Sequence, residues 1–235
     1  MAKIKLITFD LDNTLWPVDE VIRRAEQQCR TWIEDKHPDA AALMTVAKVR
    51  AIRDQLLRDD ARYLHNLTAL RRDALARGFR DAGYSDAEAT RVAQQAFDVF
   101  HEARNQVMLF PGAREILAHL ADNYILGALT NGNADLRLIG LADLFAFHHS
   151  SETIGRRKPE PDMFLAALKS SGSRADQALH IGDHPLEDVG AALEHGFGAV
   201  WANLLSQRWP QELPEHPHRI QTLPELRDLV TLLDA

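Results

Sequence analysis

The chain reads Phe9-Asp10-Leu11-Asp12-Asn13-Thr14-Leu15-Trp16 directly after a short apolar run, Ile4 to Phe9. The run is rich in residues that favour strands, and the following Asp-Leu-Asp-Asn is typical of a turn. Two carboxylates, Asp10 and Asp12, thus stand one residue apart at the end of a predicted buried strand. Because like charges this close raise each other's pKa unless a cation lies between them, we expect another part of the chain to supply positive charge here.

The composition is that of an ordinary globular protein. The chain has 235 residues, 46% hydrophobic and 26% charged, and a formal net charge of -7. This negative balance gives no general attraction for nucleic acid, and no uncharged run approaches the roughly 20 residues that span a bilayer. The single cysteine, Cys29, excludes an internal disulfide and is typical of a reducing compartment. We therefore expect a cytoplasmic protein without a nucleic-acid or membrane partner, whereas the oligomeric state stays open.

A block of helical patterns separates the first strand from the rest of the chain. Within 17–104 no strand pattern is present, and apolar residues recur at helical spacing over about 18–37, 39–58, 60–82 and 85–104. Residues 17–104 are therefore predicted to form a separate bundle of four helices, inserted after the first strand. Residues 1–16 and 105–235 are predicted to form the core.

Strand and helix patterns alternate after residue 109. Helical patterns separate or follow the predicted strands, which lie at 124–129, 145–149, 178–181, 199–202 and 220–223. Such alternation indicates right-handed crossovers and a parallel sheet with helices on both faces. Together with the first strand, it predicts an α/β fold with a Rossmann-like core and an inserted four-helix unit.

Polar residues follow three of the predicted strands. The carboxyl ends of parallel strands lie along one edge of a sheet, where ligands bind, so these residues are expected to converge. They are Asp10 and Asp12 after the first strand, Thr130, Asn131 and Gly132 after the second, and Asp183 and Asp188 after the strand at 178–181. Lys158, ahead of a predicted helix, supplies the cation. Several carboxylates, a lysine, a hydroxyl and backbone amides suit a Mg²⁺-assisted phosphoryl-transfer site.

Four motifs in this order resemble those of the haloacid dehalogenase (HAD) superfamily. They are Asp10-x-Asp12-x-Thr14, the strand-end Thr130, Lys158-Pro159 before a helix, and Gly182-Asp183-x-x-x-x-Asp188. The place of the insertion is similar to that of members with a helical C1-type cap, which would close over the site. The resemblance implies a Mg²⁺-dependent phosphatase that acts on a small soluble phosphomonoester.

The resemblance also implies a role for each acid. Asp10 would be the nucleophile that forms an aspartyl-phosphate. Asp12 would protonate the leaving alcohol and then deprotonate the attacking water. The Asp10 carboxylate, the Asp12 backbone carbonyl and Asp183 would hold Mg²⁺, and Asp188 would lie behind these ligands or on a metal-bound water.

The remaining residues of the motifs would bind the phosphate and neutralise its charge. By the same resemblance, Thr130 and the amides of Asn131 and Gly132 would hold the phosphoryl group. Lys158 would neutralise Asp10 and the group being transferred.

The second carboxylate, that of Asp12, helps to distinguish between branches of the superfamily that catalyse different reactions. A 2-haloacid dehalogenase forms a carbon ester at the same aspartate and has no alcohol to protonate, so the residue two positions on is usually not acidic. Asp12 therefore favours a phosphatase, with the dehalogenase as the alternative. A phosphomutase shares all four motifs and stays open. A phosphonatase would need a cap lysine as Schiff base, and Lys36 and Lys48 have no distinctive setting.

At finer grain the chain resembles the flavin mononucleotide phosphatase branch, whose members also act on the phosphorylated ribitylamino-uracil intermediate of riboflavin synthesis. The similar pieces are the opening segment, the stretch Tyr63 to Arg72, and Thr130-Asn-Gly-Asn-Ala followed by Gly140-Leu141. Within the insertion, four side chains could meet an anionic or aromatic leaving group, although each taken alone is more typical of a solvated helix face: Tyr63, His65, Arg71 and Arg72.

Overall fold

The computed structural model describes residues 3–213 and 218–234, which fold as two compact units. The core unit comprises the chain up to Val18 together with the chain from Met108 onward, and the helical unit is Asp19–Val107. Among the described residues, no helix is both long and apolar enough to cross a membrane.

The helical unit is built from α1 (Val18–Lys36), α2 (Pro38–Leu43), α3 (Val46–Asp59), α4 (Leu67–Asp81) and α5 (Asp86–Arg104). Small and aromatic side chains such as Ala93, Ala96, Phe79 and Phe100 fill its core. The end of α1 before His37-Pro38 agrees with the sequence, because the residue before a proline avoids the helical conformation.

Two of the four helices predicted for this unit are interrupted. The pattern over 39–58 is two helices, because the Thr45 hydroxyl accepts a hydrogen bond from a backbone N–H one turn on and starts a new helix. The pattern over 60–82 begins with a separate 3-10 turn, and Asn66 then caps α4. Such side chains satisfy the amides that a helix start leaves unpaired. The described part of this unit therefore has five α-helices rather than four.

The described part of the core unit contains six parallel strands: β1 (Leu6–Phe9), β2 (Ile125–Thr130), β3 (Phe147–Ser150), β4 (Ala178–Gly182), β5 (Gly198–Ala202) and β6 (Arg219–Ile220). Their order across the sheet is β3-β2-β1-β4-β5-β6. Every residue of β1 is buried between β2 and β4. The predicted α/β fold with a Rossmann-like parallel sheet is confirmed.

Helices cover this sheet: α6 (Ala113–Ala121), α7 (Leu136–Ile139), α8 (Ser151–Ile154), α9 (Asp162–Ser171), α10 (Ala191–Glu194) and α11 (Leu226–Leu233). Connections that run toward β3 and those that run toward β6 lie on opposite faces, because parallel crossovers are right-handed. On one face, side chains of α9 and α10 share a buried cluster with Leu6 and Leu129. α6 packs against β2 and α11.

Two predicted elements of the core unit differ from the observed ones. The helix predicted over 186–195 starts as a π-helical turn, Pro185–Gly190, and only then continues as α10. Such turns are frequent at functional sites, and this one contains Asp188. The edge strand predicted at 220–223 is limited to Arg219–Ile220.

Candidate active site

The carboxyl ends of three neighbouring strands bring the predicted acids together. Phe9, the last residue of β1, pairs with Ala128 in β2 and with Ile181 in β4. Asp10 follows directly, and its N–H donates to the Ile181 carbonyl over 2.9 Å. The hydrogen-bond ladder therefore continues into the aspartate and fixes its backbone at the edge of the sheet.

The Lys158 ammonium joins two of the acids. Its Nζ donates to Asp10 Oδ1 over 2.8 Å, to Asp188 Oδ1 over 2.5 Å and to the Leu129 carbonyl over 2.7 Å. Three acceptors match the three donors of an ammonium. The Lys158 side chain is only 1% exposed, and burial opposes its charge, but Asp10 and Asp188 raise the pKa of Lys158 above its ordinary value. Lys158 is therefore a fixed, buried cation.

The Asn131 side chain holds the Lys158 backbone. Its Oδ1 accepts from the Lys158 N–H over 2.8 Å, and its Nδ2 donates to the Lys158 carbonyl over 3.0 Å. Nδ2 also donates to Glu187 Oε2 over 2.8 Å, and Arg157 donates to the other Glu187 oxygen over 2.6 Å. The side-chain amide of Asn131 thus positions the lysine. The predicted phosphate contact of Asn131 would therefore be made by its backbone N–H.

Asp188 accepts hydrogen bonds on both carboxylate oxygens. Oδ1 accepts from Lys158 and lies 3.1 Å from His180 Nε2, and Oδ2 accepts from the His184 N–H over 2.9 Å. Burial would raise the pKa of this carboxyl, but Lys158 and His180 hold the pKa of Asp188 well below its usual range. Asp188 is therefore an ionised, immobilised carboxylate.

Asp10, Asp183 and Asp188 form a group of acids in which one carboxylate oxygen from each lies within 4.8 Å of the other two. Burial raises the pKa of Asp10 well above its ordinary value, against the pull of Lys158 and with the help of the other two acids. Burial and the charge of Asp188 raise the pKa of Asp183 to about 7. Carboxylate oxygens are the donors that Mg²⁺ prefers, so this donor set and its excess negative charge fit a divalent cation.

Asp12 is oriented by a tight turn. Its Oδ1 accepts a hydrogen bond from Trp16 Nε1 over 2.8 Å, and the Trp16 side chain is fully buried. Asn13 has a φ of 62°, a left-handed conformation that Asn tolerates, and its N–H donates to the Trp16 carbonyl over 2.7 Å. The turn thereby fixes a second, half-buried carboxylate beside the first. The metal contact through the Asp12 carbonyl stays a prediction.

Thr130 closes the set at the end of β2. Its side chain is buried, and its Oγ1 accepts from the Gly132 N–H over 3.0 Å, which orders the turn after the strand. Phosphate binding by Thr130, Asn131 and Gly132 stays a prediction.

Two residues beneath the site are not anticipated by the sequence analysis. Thr8 Oγ1 lies 2.8 Å from His180 Nδ1, and His180 Nε2 reaches Asp188. Burial lowers the pKa of His180, which therefore supports Asp188 as a neutral ring. A histidine inside the apolar run Ala178–Ile181 is the signal that could have identified this contact.

Two side chains proposed for substrate choice have partners within the helical unit. The Tyr63 hydroxyl donates to Asp73 Oδ2 over 2.6 Å, and Arg71 donates to Glu26 Oε1 over 3.0 Å. Both side chains are therefore hydrogen-bonded within the helical unit. A contact of either residue with substrate stays a prediction.

A family model of haloacid dehalogenase-like hydrolases matches residues 4–196 of the chain. The chain belongs to this family. The predicted membership and the predicted hydrolase class are thereby confirmed. The acids and the lysine described above lie in the matched residues.

Two relatives of this HAD-family enzyme are phosphatases by name. The 5-amino-6-(5-phospho-D-ribitylamino)uracil phosphatase YigB of Escherichia coli (strain K12) is 31% identical over 220 residues, 92% of each chain. The phosphoserine phosphatase of Thermus thermophilus is 30% identical over 228 residues, which cover 85% of this chain and 89% of that one.

A solved structure named for another reaction is also similar. The 2-haloacid dehalogenase from Pseudomonas syringae pv. Tomato DC3000 is 39% identical, with a TM-score of 0.92 over 98% of this chain and 99% of that chain. Members named for two reactions share this fold, so the fold alone does not decide between those reactions.

Gly182→Ala is expected to lower kcat about 100-fold, the cost of a misplacement on the order of 1 Å at a reacting centre. A Cβ on Gly182 would lie 2.3 Å from Asp188 Cγ, so Asp188 must move and release Lys158. Steady-state kinetics measures the effect. The matched control is Gly127→Ala, whose Cβ meets the Phe147 ring at 2.3 Å but touches no residue of the site. Equal losses in the two variants would contradict the assignment.

Protons are expected to compete with a divalent cation for Asp183. Because the metal-free pKa of Asp183 is about 7, its carboxylate is largely protonated below that pH and ionised above it. Mg²⁺ affinity, measured by calorimetry, should fall about tenfold for each pH unit below this value, as for a site that releases one proton on binding. Equal affinities at about pH 6 and about pH 8 would show that Asp183 is not a ligand.

Proposed function

We propose that this enzyme is a Mg²⁺-dependent phosphatase that hydrolyses a small soluble phosphomonoester through an aspartyl-phosphate on Asp10. The observation that carries the proposal is a division of labour between two neighbouring carboxylates. Lys158 binds one oxygen of Asp10, whereas Trp16 binds Asp12. One acid thus accepts a hydrogen bond from a buried cation, and the other accepts one from an indole N–H and is half-exposed.

This division suits a two-step displacement. A carboxylate oxygen of Asp10 attacks phosphorus, and the bond from phosphorus to the alcohol oxygen breaks. Asp12 gives its proton to that alcohol, then removes a proton from the water that attacks the phosphoryl group and regenerates Asp10. Lys158 keeps a positive charge beside Asp10 throughout.

The metal would be held by Asp10, Asp183 and the Asp12 carbonyl, with Asp188 orienting this arrangement from behind. When bound, Mg²⁺ supplies the positive charge that offsets the phosphate oxygens and the excess of carboxylates. Thr130 and the amides of Asn131 and Gly132 would hold the phosphoryl oxygens. Residues 17–104 would act as the cap that excludes water.

A 2-haloacid dehalogenase is the second candidate, favoured by the 39% identity to the Pseudomonas syringae structure. That reaction expels a halide, which needs no proton at neutral pH, so an acid at Asp12 has no task in it. The acid and the two phosphatases aligned over most of the chain favour phosphate ester hydrolysis. A phosphomutase uses the same residues and is separated from a phosphatase by whether phosphate is released.

The substrate class follows from the relatives. The E. coli relative is named for a phosphate ester of a ribitylamino-uracil and is matched over 92% of its length. We propose the same ester, or flavin mononucleotide, as the substrate to examine before others. Such substrates agree with a cytoplasmic enzyme that needs no nucleic-acid or membrane partner.

Asp10→Asn is expected to reduce hydrolysis of p-nitrophenyl phosphate by on the order of 10⁴-fold or more, because the nucleophile is lost. Release of p-nitrophenol measures the rate, and a chelator should abolish wild-type turnover until Mg²⁺ is restored. Asp143→Asn removes the same charge from an exposed position of the core unit and should leave the rate unchanged. Halide release from 2-chloropropionate without phosphatase activity would instead support the dehalogenase.

A further inference from the structure

A cavity of about 490 Å³ lies within the helical unit, between α1, α3 and α4. This volume is in the range of small-molecule sites. Its apolar lining includes four buried side chains, those of Cys29, Ile33, Met44 and Leu75. All the residues that line it belong to the helical unit, and none of them belongs to the site described above.

The charged residues around this cavity leave a positive balance. Four arginines and two acids border it: Arg30, Arg50, Arg53, Arg71, Glu26 and Asp54. The chain as a whole has a net charge of -7, so this concentration of guanidinium groups runs against the overall balance. A cavity with cationic walls and an apolar floor attracts molecules that combine an anionic group with an apolar body.

The Glu26 carboxylate forms ion pairs with two of the guanidinium groups. Glu26 Oε1 lies 3.0 Å from Arg71 and 3.6 Å from Arg53. The Arg71 guanidinium also lies 3.7 Å above the centre of the Phe100 ring, which fixes it in place. Burial and the charge of Arg53 lower the pKa of Arg71, so a further negative charge here would be stabilising.

The other two arginines differ in their availability. Arg30 donates to the Met44 and Ala41 carbonyls and so is committed to the end of α2. Arg50 is exposed on α3, and within the described residues its side chain has no hydrogen bond or ion pair. The anionic group of a ligand therefore has Arg50 and Arg53 as its nearest partners on one helix.

We propose that this cavity binds a small organic anion with an apolar body, such as an alkyl carboxylate, whose charge contacts Arg50 and Arg53. Its apolar part rests on Cys29 and Leu75. The Cys29 thiol suits this floor because burial raises its pKa to about 11, which keeps it protonated and uncharged at neutral pH. Ligand binding in this cavity is independent of the proposed phosphatase activity, since the residues that line the cavity all belong to the helical unit.

Cys29 provides a local probe of occupancy, because it is the single cysteine of the sequence. Octanoate should bind the full chain saturably in calorimetry and slow the alkylation of Cys29 by iodoacetamide at alkaline pH, where enough of the thiol is ionised to react. Octylammonium, with the same alkyl length and the opposite charge, should do neither. Absence of saturable octanoate binding, or equal protection of Cys29 by both compounds, would overturn the proposal.

Variants that reverse the charge of selected arginines test where the anionic group of the ligand binds. The double variant Arg50→Glu with Arg53→Glu should weaken octanoate binding at least about tenfold, as expected when attraction becomes repulsion. Arg58→Glu makes the same kind of change on α3 outside the cavity and should leave affinity within about twofold. Val49→Trp should block binding by filling the cavity without changing charge. Circular dichroism confirms that each variant is folded, and equal affinities in the double variant and wild type would contradict the site.

Discussion

The contact on which the site depends is the buried Lys158 ammonium between Asp10 and Asp188. Asp10 and Asp188 share one edge of the sheet. Among the described side chains, Lys158 is the cation that contacts both of them. Removing one partner from such a buried pair leaves an uncompensated charge, at a cost of about 3–5 kcal/mol. The lysine therefore favours the ionised form of Asp10, which burial and the neighbouring acids disfavour, and holds the carboxylate where the sheet places it.

Much of the surrounding structure serves to hold this lysine. Asn131 binds both backbone polar groups of Lys158 and so connects the loop after β2 to the loop before α9. Asp188 is placed by a π-helical turn and by the missing side chain of Gly182. The site is thus supported by backbone geometry as much as by charge, which is the condition for precise positioning of a reacting group.

The sheet and the convergence of the acids could be predicted because strand patterns and strand-end residues are local signals. The contacts of the Asn131 side chain could not, because they depend on the distance between two loops that are separated in the chain. The π-helical turn escaped prediction since its sequence is also compatible with an ordinary helix. Likewise, Thr45 and Asn66 interrupt helices through caps that an apolar pattern does not show.

The central claim is that Asp10, held by Lys158, and not Asp12, held by Trp16, becomes phosphorylated during turnover. Acid quenching of the enzyme with a phosphomonoester and Mg²⁺, followed by mass spectrometry of the peptide that contains both residues, tests this directly. Fragmentation is predicted to place a phosphoryl group on Asp10. A phosphoryl group on Asp12, or an unmodified peptide throughout the first turnover while phosphate is released, would contradict the account.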